Sequence, residues 1–249
     1  MKYIFLGLIC FVFFGCKEEN KAKDLSADDI INESIKVSGG EKFKNSVIRF
    51  NFRDKFYVAR RSNGNATYIR IFAEGKDSIF DLMSSNNFER SVNSSSVRLS
   101  DSLKILYSAS VNSVHYFSVL PFGLNDKAVN KELLEEESIN NENYYKIKVT
   151  FDEEGGGEDF EDVFVYWVNK KNFKVDYLAY SYNEDDDIGI RFRSSYNERY
   201  LEGIRIVDYN NYKSEEKIDL FDLGKAFEDE QLKLLSKIEL ENVEVELIE

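Results

Sequence analysis

Histidine, proline and cysteine are scarce in this 249-residue chain, which holds one histidine, one proline and two cysteines. Both cysteines, Cys10 and Cys16, lie near the start, so residues 17–249 have no thiol. That stretch can form no disulfide, no thiolate zinc site and no cysteine nucleophile. His115 has no second histidine to join it in a metal site. Positive charge is also short: 33 Lys and Arg face 46 Asp and Glu, for a net charge of −13. Nucleic acid is excluded as a partner, because phosphate binding needs a basic stripe. Anionic lipid surfaces are repelled, and the acidity serves solubility. No G-x-S-x-G elbow and no H-E-x-x-H helix occurs. Gly155-Gly156-Gly157-Glu158 lacks the Lys-Ser/Thr pair of a phosphate loop and reads as a hairpin tip.

Apolar residues make up 43% of the chain and aromatics 14%, enough for a sizeable core. The one long apolar run opens the sequence. Met1-Lys2 gives a positive start, and Tyr3 to Phe14 is too short to span a bilayer comfortably. It has the length of a signal-peptide h-region. An uncleaved anchor or an ordinary signal peptide is the alternative. Lys17-Glu18-Glu19 follows, and residues 17–25 read as a solvated tether.

Ser26 with Asp29 predicts a capped helix ending at Gly39-Gly40. Ile48, Phe50 and Phe52 alternate with polar residues, as a half-buried strand does. Asn63-Gly64-Asn65 marks a hairpin turn. Ser100 opens a second helix, whose expected buried stripe is Leu103, Leu106, Tyr107, Ser110, Val111, Val114 and Phe117, and Pro121 stops it. Val163 to Val168 is apolar throughout, as in a strand covered on both faces. A strand over 236–248 changes phase at Asn242, which predicts a bulge. About eleven strands in consecutive hairpins with two helices predict a mainly β (α+β) chain. A single large, curved, partly closed antiparallel sheet should carry the longer helix on its concave face. The divisions are 1–15 as signal peptide, 16–25 as tether and 26–249 as one β domain.

Phe13-Phe14-Gly15-Cys16 resembles a bacterial lipobox. The resemblance implies cleavage before Cys16 and membrane attachment through acyl chains on that residue. Lys17-Glu18-Glu19 resembles signals that send some Bacteroidota lipoproteins to the cell surface. The stretches "SGGEKFKNSVIRFNFRDKFY", "HYFSVLPFGLND" and "EGIRIVDYNNYK" resemble an uncharacterised Bacteroidota lipoprotein family. The order of lipobox, helix, curved sheet and helical plug resembles the LolA/LolB-like lipoprotein-sorting superfamily. That resemblance implies a half-barrel holding acyl chains or a lipoprotein, without enzyme activity. Position 17 is not Asp, so the usual inner-membrane retention signal is missing and the outer membrane, on either leaflet, is the expected address.

His115 has two readings, a base or ligand contact and a helix-flank residue with a satisfied hydrogen bond. The acidic clusters at 152–154, 158–162 and 184–187 could serve glycoside hydrolysis or calcium, or be solvated turns. Tyr166, Trp167, Tyr180 and Tyr182 belong to a late tyrosine-rich run suited to lining a cavity, stacking on sugars or packing strands. Tyr116, Phe117 and Phe122 could rim the same cavity. The expectation is a monomeric binding protein for a hydrophobic or amphiphilic ligand, without cofactor, metal or catalytic residue. A surface module for polysaccharide or a protein partner is the alternative, and a carboxylate-dependent hydrolase a further one.

Overall fold

A computed structural model describes residues 25–84, 87–157, 160–184 and 187–248. The signal segment, Cys16 and the tether as far as residue 24 lie outside the described residues. Helix α1 (Ala27–Val37) starts as its sequence dictates. The Ser26 hydroxyl accepts from the Asp29 N–H at 3.1 Å, and the Asp29 carboxylate accepts from the Ser26 N–H at 3.1 Å. Past its end Gly39 takes a φ of 136°. A Cβ there would lie 3.0 Å from the Phe43 ring and 3.2 Å from the Ile204 backbone, so only glycine fits.

Strands dominate the rest, and every pairing is antiparallel. The first group is β1 (Ser46–Phe52), β2 (Lys55–Ser62), β3 (Asn65–Glu74), β4 (Asp77–Ser84), β5 (Asn87–Val92) and β6 (Ser95–Val97). The expected turn forms: Asn63 and Gly64 both take positive φ between paired Ser62 and Asn65. After helix α2 (Asp101–Ser118) come β7 (Val129–Leu133), β8 (Glu137–Ile139), β9 (Glu142–Phe151) and β10 (Phe164–Asn169). Then follow β11 (Val175–Glu184), β12 (Asp187–Leu201), β13 (Ile204–Ser214), the short helix α3 (Leu223–Glu228), β14 (Leu232–Ile238) and β15 (Glu241–Leu247).

The mainly β, antiparallel class is as expected, but the single sheet is corrected to two. Seven strands run in the order β15-β1-β2-β3-β4-β5-β6, and eight belong to a second sheet ordered β14-β13-β12-β11-β10-β9-β7 with β8 on β9. Neither path closes on itself. The expected strand over 236–248 breaks at 239–240, where the chain steps from one sheet to the other. Buried Asp208 fixes that step: its Oδ1 accepts from the Leu240 N–H at 2.9 Å. Arg199 Nη2 donates to the Leu240 carbonyl at 2.7 Å and to Asp208 at 3.2 Å. The expected bulge at Asn242 is present, with a φ of 51° and a shift of register against β1.

Strand β10 is buried at all six positions. One face joins Phe164, Tyr166 and Val168 to a core with α1, and the other joins Val165 and Trp167 to a core with Leu223 from α3. An apolar run without alternation is the signature of this double cover.

Helix α2 is tied to the first sheet by a row of charges and rings. Asp81 is fully buried between two arginines, Arg70 Nη2 at 2.7 Å and Arg90 Nε at 2.6 Å. Arg70 Nη1 also donates to Ser110 on α2 at 2.7 Å, and Arg90 lies 3.6 Å from the centre of the Tyr107 ring. One turn further on, His115 stacks on Tyr68 at 4.7 Å and meets the edges of Tyr57 and Phe50. The expected apolar stripe is corrected at its start. Leu103 and Leu106 are 38% and 60% exposed, because contact begins with the charged row at Tyr107.

Removing the Asp81 carboxylate strands two guanidinium groups, and breaking such a buried arrangement costs about 3–5 kcal/mol. Asp81→Ala should therefore lower the urea midpoint sharply and speed amide exchange in α2; an unchanged midpoint would refute the tie. His115 is 1% exposed, and burial together with the nearby Arg61 charge lowers its pKa to about 3 from 6.5. The unfolded chain takes up this proton below pH 6.5 and the folded chain does not until about pH 3. Stability contributed here is full above that window and falls with pH inside it, approaching about 1.4 kcal/mol per unit. Urea titrations between pH 6 and pH 4 should show a shallower loss for His115→Phe than for the parent chain. Equal slopes would place the proton elsewhere.

Candidate functional site

A cavity of about 530 Å³ lies between α2 and the second sheet. Its volume falls in the roughly 300–1,000 Å³ range of small-molecule sites. Ala109, Ser113, Val114, Tyr116 and Phe117 line it from the helix. Phe164, Val207, Tyr209 and Ile238 line it from the sheet, with Tyr180 and Tyr182 beside them. Phe52 and Arg53 from the end of β1 also border it.

Strand alternation explains this lining. On β11, Tyr180 and Tyr182 face the cavity, whereas Tyr177 turns to the opposite core and stacks on Phe192. The cavity side is densely aromatic: Phe164 stacks on Tyr180 at 5.3 Å, and Phe117 lies 5.4 Å from Tyr180. The Tyr116 and Tyr166 hydroxyls, one from α2 and one from β10, are 3.0 Å apart. Burial raises the pKa of both phenols, so this link between helix and sheet stays uncharged.

Of the residues singled out in the sequence, Tyr116, Phe117, Tyr180 and Tyr182 meet at the cavity. Tyr166 sits behind Tyr116, fully buried. Three others point elsewhere. Trp167 faces the α3 side and donates to Glu137 at 3.0 Å, as its odd–even parity with Tyr166 requires. Phe122 stacks on Phe43 at 4.7 Å in a separate core. His115 faces the first sheet because it is one residue from Tyr116, about 100° around the helix. Cys16 lies outside the described residues.

Sequence reading passed over Arg193, which the fold places on the cavity wall at 7% exposure. Its Nη2 donates to the Tyr180 hydroxyl at 2.7 Å, and its guanidinium lies 3.9 Å from the centre of the Phe117 ring. Burial lowers its pKa against the opposing pull of neighbouring tyrosines. A usable signal existed. In "IRFRS" the arginines share one face and Ile190 and Phe192 the other. A sheet covered on both faces must bury that arginine face too.

Asp162 is the single carboxylate among the described wall residues, whereas glycoside hydrolysis uses two. Among the described residues no cluster of three His, Cys, Asp or Glu could hold a metal. Parts of the acidic runs at 158–162 and 184–187 lie outside the described residues.

No curated protein matches this sequence. Among solved structures, the chain is similar to a LolA superfamily protein from Nitrosomonas europaea, with 14% identity and a TM-score of 0.48 over 90% of this chain and 94% of that one. A DUF1329 family protein from Desulfovibrio piger matches at 14% identity and a TM-score of 0.43, over 88% and 92%. The lipoprotein LppX from Mycobacterium tuberculosis matches at 11% identity and a TM-score of 0.28, over 62% and 86%. The profile of the family described as "Family of unknown function (DUF6503)" matches residues 2–242, and the chain belongs to that family.

Proposed function

We propose that this protein is a non-enzymatic, lipid-anchored envelope protein whose cavity holds a hydrophobic or amphiphilic ligand such as an acyl chain. The carrying observation is the cavity between α2 and the second sheet, walled by Phe117, Val114, Phe164, Val207 and Ile238. Such a wall offers apolar area to a guest. With one carboxylate and no metal cluster among the described wall residues, the arrangement suits holding a molecule. Attachment is assigned to acyl chains on Cys16, since more than one chain is needed for stable anchoring. The outer membrane is the proposed address, on either leaflet.

Native mass spectrometry and solvent extraction of the purified protein should find a co-purifying lipid. Ala109→Trp, which places an indole in the cavity from α2, should cut that occupancy by about tenfold or more at unchanged thermal stability. A parent chain that carries no lipid and takes up none would sink the reading. The anchor is tested separately: Cys16→Ser should abolish metabolic labelling with an alkyne fatty acid and shift the protein out of the membrane fraction. Continued labelling of that variant would place the acyl chains elsewhere.

A further inference from the structure

A line of polar side chains crosses the cavity wall. Arg193 on β12, Asn211 on β13 and Ser236 on β14 are successive cross-strand neighbours, and all three line the cavity. Asn211 Nδ2 donates to Ser236 Oγ at 3.2 Å, while Asn211 Oδ1 has no partner. Arg193 uses Nη2 on Tyr180, and its Nε and Nη1 have no partner.

The other buried arginines are compensated. Arg70 shares Asp81, Arg205 lies 3.4 Å from Glu198, and Arg61 has the Asp126 carboxylate within electrostatic reach. Among the described residues Arg193 makes no ion pair and is surrounded by Tyr180, Tyr209, Tyr166 and Phe117. A guanidinium cannot shed its proton, so burial leaves a positive charge without a counter-charge. That is a costly arrangement among aromatic rings unless an anion enters the cavity.

We infer that Arg193 seats the oxyanion head group of an acyl-chain amphiphile whose hydrocarbon lies along the wall of the cavity, with Asn211 and Ser236 as the polar surface beside it. The inference rests on the cavity being a ligand site, as proposed above. A guanidinium presents two parallel N–H donors to a carboxylate or a phosphate alike. Phe117 lies over the guanidinium carbon at 3.9 Å, which leaves the in-plane N–H edge for the head group.

The test uses the full chain in neutral phosphatidylcholine nanodiscs with three diazirine-bearing C16 probes: the free fatty acid, its methyl ester and the alkyl phosphate. Crosslinks are mapped to cavity peptides by mass spectrometry. The acid or the phosphate should label these peptides at least about tenfold more than the ester, and the stronger of the two identifies the head group. Arg193→Gln should bring all three to the level of the ester, while Arg193→Lys should keep a preference for the anions. Melting curves check that each variant folds, and Asn211→Leu, which leaves the charge, should give an intermediate preference. Equal labelling by acid, phosphate and ester in the parent chain would overturn the role of Arg193 and leave the cavity reading standing. No labelling of cavity peptides by any probe would overturn both.

Discussion

A helix held at a distance from the sheet it covers is the constraint from which the site follows. Left to hydrophobic collapse, α2 would settle onto the second sheet and fill the space beneath it. It is held instead at the first sheet. Arg70 reaches Ser110, Arg90 backs Tyr107, and the aromatic cage of β1 to β3 grips His115. The second sheet reaches the helix at the Tyr116–Tyr166 pair and around Phe117. Between those contacts the cavity remains.

Asp81 is central to this because a carboxylate at 0% exposure can be tolerated only with its charge neutralised. Two guanidinium groups do so, one on each neighbouring strand, and each then has a second task on the helix. The polar network therefore sets the position of α2 more narrowly than apolar contact would. The exposed leucines of the first turns fit this, since the charged row and the cage are what hold the helix.

Much of this was legible in the residues. The capping box of Ser26 and Asp29, the Asn63-Gly64 turn, the α2 boundaries and the double cover of β10 are local patterns, and each formed as written. What needed the fold was long-range. Arg70, Asp81 and Arg90 look like ordinary solvent-facing charges until register sets them in one row under a helix. The split into two sheets turns on Asp208 binding Leu240, a contact 32 residues apart that no periodicity reports. Trp167 shares its type with Tyr166 but not its face, because neighbouring strand residues point opposite ways. The aromatic run marks the region of the cavity, whereas Arg193 among the rings carries no local pattern of its own beyond the alternation of its strand.

The crossing at Leu240 has a consequence for how the chain is made. Strand β15 belongs beside β1, joining Arg49 to Glu246 across 197 positions. The first sheet thus lacks this border until Glu241–Leu247 have been made. During that interval β1 offers a bare row of amide groups to any passing strand. Assembly of so distant a pair is intrinsically slow, and the nascent polypeptide needs shielding until β1 and β15 meet.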